Sequence, residues 1–261
     1  MLFLFNELIY RPLYNLLIFV YNAVPFQDFG VAIIIVTILI KFLLIPLSKK
    51  QIESQKKMQE MQPKIKEIQE KYKGDKQKQS RALTEFYKVN KANPFSGCLP
   101  VIFQLIFLIA IYRVLFNISE AGLVVGEGEL YAFVMNPGQI NQYFLGLIDL
   151  SKTVNFGDIT VSAVAQMVLV VLAAIAQYFQ TKMLMPAKAP SIANKKSTPD
   201  ISQMMSKQML YLGPLLTLFI GIKFPAGLAL YWLVSTVFAL VQQSRLMKKD
   251  QLAVSAKQIE K

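Results

Sequence analysis

The 261-residue chain is 54% hydrophobic and only 17% charged, and its 28 Lys and Arg against 16 Asp and Glu leave a net charge of +12. This apolar excess is that of a membrane protein rather than a soluble core. With no histidine and one cysteine, the composition excludes histidine metal sites, Ser-His or Cys-His nucleophile pairs and an internal disulfide.

Residues 1–22 lack the basic start and the small-residue cleavage site of a signal peptide, so they are expected to be retained. Glu7, Arg11 and Tyr14 fall on one side of a helix, with Phe5, Leu8, Ile9, Leu13 and Leu16 spread over the rest. The pattern predicts an amphipathic helix lying on the outer leaflet. A sixth span is the alternative, and it would have to absorb Glu7, Arg11 and Pro12.

Residues 23–48 hold the first span, Phe29 to Leu47, interrupted by Lys41. A lysine near the hydrocarbon core costs roughly 2.5–3.5 kcal/mol on insertion scales and marks a pathway or a water-filled cavity. Thr37 lies one turn earlier on the same face. Two readings stand at this point: Lys41 faces a hydrated cavity, or its long stem snorkels to the cytoplasmic headgroups.

Residues 49–92 read as a cytoplasmic helical hairpin. Met61, Ile65, Ile68 and Tyr72 recur at helical spacing, and Leu83, Phe86, Tyr87 and Asn90 continue it beyond Gly74-Asp75. Gly74 suits a helix C-terminus and Asp75 an N-cap, while Pro63 is expected to kink or restart the first arm. The hairpin is expected to pivot near Ser48 and Asn93-Pro94. It is either a charged spacer or a basic docking arm for ribosomal RNA, lipid headgroups or a targeting protein.

Four further spans follow within 93–261, at about 97–116, 159–184, 208–224 and 226–244, the fourth of them short. Phe224-Pro225-Ala226 leaves room only for a tight turn between the last two. Each carries polar or small residues at helical spacing: Gly97 and Gln104; Ser162, Gln166, Ala173, Gln177 and Thr181, with Gln180 nearby; Gly213, Thr217 and Gly221; Gly227, Tyr231, Ser235 and Gln242. For any one helix, interhelical hydrogen bonding or close packing explains the pattern. Taken with Lys41, the five faces are better explained by a shared hydrophilic groove.

Charge sets the expected orientation. Residues 48–96 carry thirteen Lys or Arg, and the 185–207 loop and the tail are also basic, whereas the 117–158 loop carries Glu120, Glu127, Glu129, Asp149 and Asp158 against Lys152 alone. The positive-inside rule places the amino terminus and the 117–158 loop outside, and the carboxy terminus in the cytoplasm. Leu105, Leu108 and Val168 are candidates for an apolar seal on the outer side. No phosphate-binding Gly-x-x-x-x-Gly-Lys loop occurs, and acidic residues avoid the spans. These absences disfavour an enzyme, a nucleotide-driven pump and a proton-coupled transporter. The fold class is therefore all-α and polytopic: five transmembrane helices around a hydrophilic groove, a cytoplasmic hairpin and an amino-terminal interfacial helix.

Four blocks resemble the YidC/Oxa/Alb family of membrane protein insertases, in its short form without a large periplasmic domain. They are Lys41-Phe-Leu-Leu-Ile-Pro-Leu-Ser48, Met61-Gln-Pro-Lys-Ile65, Asn93-Pro-Phe-Ser-Gly-Cys-Leu-Pro100 and Phe224-Pro-Ala-Gly-Leu-Ala-Leu-Tyr-Trp232. Each block is weak alone; four in order with five spans are specific. The resemblance implies a groove open to the cytoplasm and to lipid but closed outside, whose basic residue, here Lys41, attracts the hydrophilic outer segment of a substrate. Arginine is the common occupant of that position, and lysine differs in being a compact charge. Tyr231 and Trp232 match the family's aromatic contacts, while Gln177 and Gln180 compete for its third-span glutamine.

The expected groove is thus Lys41, Thr37, Gln104, Gln166, Gln177, Gln180, Tyr231, Trp232 and Ser235, with no catalytic residue, metal or cofactor. The resemblance implies a bacterial plasma-membrane insertase and chaperone. Its implied partners are nascent membrane proteins, the lipid bilayer, the ribosome, the signal recognition receptor and the Sec translocon. A channel or transporter with a membrane-spanning polar cavity is the alternative, and a membrane anchor presenting the hairpin is a third.

Overall fold

The computed structural model describes residues 2–93, 99–157, 160–183, 185 and 201–259. The Gly97 and Cys98 readings, Asp158, and the lysines at 188, 195 and 196 lie outside these residues.

The amino-terminal segment is helical throughout: α1 (Leu2–Phe5), a π-helical turn (Asn6–Tyr10) and α2 (Arg11–Ala23), with Pro12 in the first turn of α2, where its missing N–H costs nothing. The expected amphipathic split is redistributed. Tyr10, Leu13, Tyr14, Leu17, Ile18 and Tyr21 are buried against the bundle, and Phe3, Leu4, Leu8 and Phe19 are exposed. Tyr14 therefore belongs to the apolar face and stacks on Tyr10.

Asp28 N-caps α3 (Phe29–Leu43), accepting from the Val31 N–H at 3.0 Å. The chain then bends by 66° into α4 (Ile45–Lys71). The bend falls at Leu44, and Pro46 occupies the first turn of the new helix, where its fixed backbone angle is suited to a helix start. Pro63 lies within α4, which runs on without a restart. The α4–α5 turn follows, and Asp75 N-caps α5 (Lys76–Val89) by accepting from the Lys78 N–H at 3.0 Å. That bond holds the Asp75 carboxyl below its usual range. Gly74 does not cap α4 in a left-handed conformation; the helix ends at Lys71, and Tyr72 takes the cap position.

Among the described residues, three helices have the length and apolarity to cross a bilayer, within α6 (Leu99–Glu120), α7 (Val161–Met183) and α9 (Ala226–Ile259). The bent α3–α4 pair makes a fourth candidate, and α8 (Ile201–Lys223) contributes only a 14-residue apolar stretch, Leu210–Lys223. α9 lies at the centre, packed on α3, α6, α7 and α8. On α8, Gly213, Thr217 and Gly221 recur every four residues and face α7. A Cβ on Gly221 would lie 2.6 Å from Val170 Cγ1, so only glycine permits this approach.

The loop between α6 and α7 departs from an all-α reading by folding a small antiparallel hairpin, β1 (Tyr143–Phe144) with β2 (Ile148–Asp149). Gly30 lets β1 settle on α3: a Cβ there would lie 2.6 Å from Phe144 Cβ. Buried Asp149 organises this loop. Its carboxylate accepts from Gln142 Nε2 (3.0 Å), the Ser151 N–H (3.1 Å) and Ser151 Oγ (2.7 Å), and pairs with Lys152 Nζ at 3.1 Å. Lys152 is held above the usual lysine range by that pair. The loop in turn caps α9: the carbonyls of Lys152 and Leu150 accept from the Ala226 and Gly227 N–H groups at 2.9 and 3.0 Å. Two donors that a helix start leaves without partners are thereby satisfied.

Candidate functional site

Five helices bring polar side chains together at the hairpin end of the bundle. Lys41 sits in the last turn of α3, and its Nζ donates to Gln104 Oε1 of α6 at 3.3 Å. The same oxygen accepts from Ser235 Oγ of α9 at 2.9 Å. One turn deeper on α9, Trp232 Nε1 donates to Gln177 Oε1 of α7 at 3.2 Å. Nearer the hairpin, Gln242 Nε2 donates to Ser48 Oγ at 2.7 Å, joining α9 to the start of α4. Edge-on contact of Phe42 with Phe238 packs α3 against α9 beside these groups.

Of the nine candidates, Lys41, Gln104 and Ser235 form one connected set, and Gln177 and Trp232 form a second on the neighbouring faces. Gln177 rather than Gln180 makes the bond to Trp232. Tyr231 is buried in the core. Thr37 is buried too, but its hydroxyl is spent on the Ile33 carbonyl of its own helix at 2.6 Å. Gln166 stands apart: its Nε2 donates to the Asp149 carbonyl at 2.9 Å, tying α7 to the hairpin loop at the other end of the bundle. Gln104 keeps one further group available, since its Nε2 is buried with no hydrogen-bond partner.

Between this set and the loop end the interior is apolar: Ile33 and Val36 of α3, Leu108, Ile111, Val114 and Leu115 of α6, Leu169 and Val170 of α7, and Leu228 of α9 are buried together. Of the expected sealing residues only Leu108 is in this layer. Leu105 and Val168 are exposed, because Leu105 falls with Ile102, Ile109 and Phe116 on the outward face of α6, and Val168 with Val161, Val164, Val171 and Ile175 on that of α7.

Sequence reasoning missed a second polar assembly, at the loop end. Arg113 of α6 donates to Asn6 Oδ1 at 2.7 Å and lies over the Tyr10 ring at 5.0 Å. Tyr10 donates to Glu129 Oε2 at 2.6 Å and accepts from Asn117 Nδ2 at 2.7 Å. Asn15 bonds the backbone of Glu129 and Tyr131. The signal was Arg113 itself, an intramembrane charge of the same kind as Lys41 but hidden in a strongly apolar run.

Residues 19–253 match the family described as 60Kd inner membrane protein. Among curated relatives, proteins named membrane protein insertase YidC recur. That of Fusobacterium nucleatum is 33% identical over 92% of this chain and 98% of its own length. Those of Bradyrhizobium diazoefficiens and Shewanella halifaxensis are 31% and 32% identical over 94% and 89% of this chain. The chain spans 37% and 35% of the length of these two longer relatives. With the match extending over nearly all of its spans, and over nearly the whole of the Fusobacterium relative, the chain belongs to the YidC family of membrane protein insertases.

Proposed function

We propose that the chain inserts and folds substrate helices through a hydrophilic groove at the hairpin end of a five-span bundle, with α3 and the apolar part of α8 as the first and fourth spans. The reading rests on one observation: Lys41 is held 3.3 Å from Gln104, which also accepts from Ser235, so a positive charge and its polar partners sit among otherwise apolar helices. Such a group stabilises the acidic outer segment of a substrate part of the way across, where hydrocarbon alone would reject it. The substrate's own apolar helix then leaves along α7 and α9, past Gln177 and Trp232. Its burial in lipid contributes about 25 cal/mol per Å² to complete the crossing. The buried layer of Ile111, Val114 and Val170 supports a groove closed toward the loop and argues against a continuous polar path.

In this reading the amino terminus and the 117–158 loop are outside, residues 1–22 lie against the outer leaflet, and the hairpin and tail are cytoplasmic. The basic hairpin and tail are suited to the ribosome, and the chain works alone or beside the signal recognition receptor and the Sec translocon. In nucleotide-free proteoliposomes, a single-span substrate with an acidic outer segment should insert with Lys41→Arg and fail with Lys41→Glu. Normal insertion by Lys41→Glu would leave snorkelling as the better account of this lysine. Cysteines at Gln177 and Thr181 should react with an impermeant thiol reagent from the hairpin side, and one at Ser162 should not. Ion flux through the resting protein would instead promote the channel.

A further inference from the structure

The corner between α2 and α3 holds residues in a backbone conformation that side chains rarely adopt. Phe26 and Gln27 have φ of 61° and 49°, and across the corner Leu145 has φ of 52°. The left-handed region is strained for an L-residue, and glycine would occupy these positions without strain. Yet the side chains so presented are large and apolar, and they are exposed: Phe26 by 96% and Leu145 by 67%.

Two side chains flanking the corner gather further loop residues around it. Asn22 Nδ2 donates to the Met135 carbonyl at 2.6 Å, and Asp28 Oδ2 accepts from the Leu145 N–H at 2.7 Å. Met135 is itself 72% exposed. Three segments remote in sequence therefore converge on one corner, each offering an apolar side chain outward. Residues 23–27, Ala-Val-Pro-Phe-Gln, carry no charge, and the Asp28 carboxylate is spent on backbone N–H groups of α3 and the loop. Further along α3, beyond the buried Phe29, Ala32 and Ile33, Ile35, Leu39 and Phe42 form an exposed stripe at helical spacing. In a helix at the edge of a membrane bundle that stripe faces lipid. Scattered exposed apolar residues need no explanation, but a strained, riveted group of them at one corner of a membrane protein does.

We propose that this corner is a membrane-insertion patch: Phe26, Met135 and Leu145 enter the acyl-chain border of the leaflet on the loop side and seat the 121–157 loop against the bilayer. Burial of such large apolar side chains in lipid offsets the backbone strain that presents them.

The test uses the full chain in phosphatidylethanolamine and phosphatidylglycerol vesicles, with Cys98→Ser and a single environment-sensitive fluorophore on Phe26→Cys, Met135→Cys or Leu145→Cys. Gly128→Cys, exposed in open space between Glu127 and Glu129, is the aqueous control. Nitroxide-bearing acyl chains should quench the three patch labels, with blue-shifted emission and no loss to aqueous iodide, and the control should behave in the opposite way. Iodide quenching of the patch labels equal to the control overturns the proposal in favour of a water-exposed corner. Protection from both quenchers overturns it in favour of coverage by a protein partner or a second copy. The three positions are read independently, so one misfolded variant does not remove the test.

Discussion

Gln104→Glu separates the charge of the groove from its packing, because the replacement keeps the side-chain shape and the shared Oε1 while placing a carboxylate beside Lys41. At the observed 3.3 Å, opposite charges attract by about 5 kcal/mol at an effective dielectric of about 20. Desolvating the new carboxylate costs several kcal/mol. The change also removes a buried amide nitrogen that has no partner, returning about 1–3 kcal/mol. The variant should therefore be as stable as the wild type or slightly more so. Insertion should move the other way, since a substrate's acidic segment must now compete with a permanent internal counter-ion. A penalty of only about 1.4 kcal/mol slows the step tenfold. The assay compares two single-span substrates in proteoliposomes, one with an acidic outer segment and one with a neutral outer segment, scored by protease protection, alongside thermal unfolding in detergent. The acidic substrate should slow at least tenfold and the neutral one hardly change. Wild-type insertion of the acidic substrate by Gln104→Glu would refute the electrostatic role of Lys41.

Gly221→Ala drives a methyl group to 2.6 Å from the stiff, buried Val170 side chain, and thermal unfolding should show a loss of about 1–3 kcal/mol. Asp149→Ala deprives Gln142, Ser151 and Lys152 of their acceptor and should cost about 3 kcal/mol; hydrogen exchange at the Ala226 and Gly227 amides, which the same loop caps, should accelerate. Asp75 has a lowered native pKa, so its capping contribution is complete above the ordinary value of 3.8 and is lost as pH falls through the lower native value. Amide exchange in the first turn of α5 should rise across that acid window, and Asp75→Asn should flatten the dependence.

The helices, and the polar side chains that gather around Lys41, were largely legible because both follow from local rules. Lys41 stood out as a charge in an apolar run, and the spacing of Gln104, Gln177 and Ser235 fixed which faces they share, so three helices could be aimed at one another before any contact was seen. Gln166 shows where spacing stops being informative: it lies on the same side of α7 as Gln177 but three turns away, and its partner is a backbone carbonyl in a loop. The loop itself was opaque. Its strands are two residues each, its folding depends on one buried carboxylate, and its attachment to α2 and α3 runs through Asn22, Tyr21 and Asp28 over more than a hundred residues of sequence. The sealing residues were misassigned for a related reason. On helices apolar all round, Leu105 and Val168 cannot be told from Leu108 and Val170 by composition, and only packing against α9 and α8 decides which face turns inward.

In the proposed five-span arrangement, the two shortest spans bear most on the geometry. α3 has 15 residues, about 22 Å at 1.5 Å per residue, and the apolar part of α8 is 14 residues, about 21 Å. Both fall short of a hydrocarbon layer of about 30 Å, so the bilayer beside them must thin or their ends must be solvated by polar groups. At the hairpin end of α3 such groups are present: Lys41 and Ser235 both bond Gln104, and Gln242 bonds Ser48. The bend of 66° at Leu44 then turns the basic α4 arm away from the axis of α3. In the proposed function, a substrate segment entering there meets Lys41 after crossing only part of the membrane. The remaining distance is bounded by the buried layer from Leu108 to Leu115 on one side and by the lipid facing α7 and α9 on the other. Only the lipid side offers a path that buries an apolar helix, and so the same architecture that admits the polar segment directs the helix behind it sideways into the bilayer.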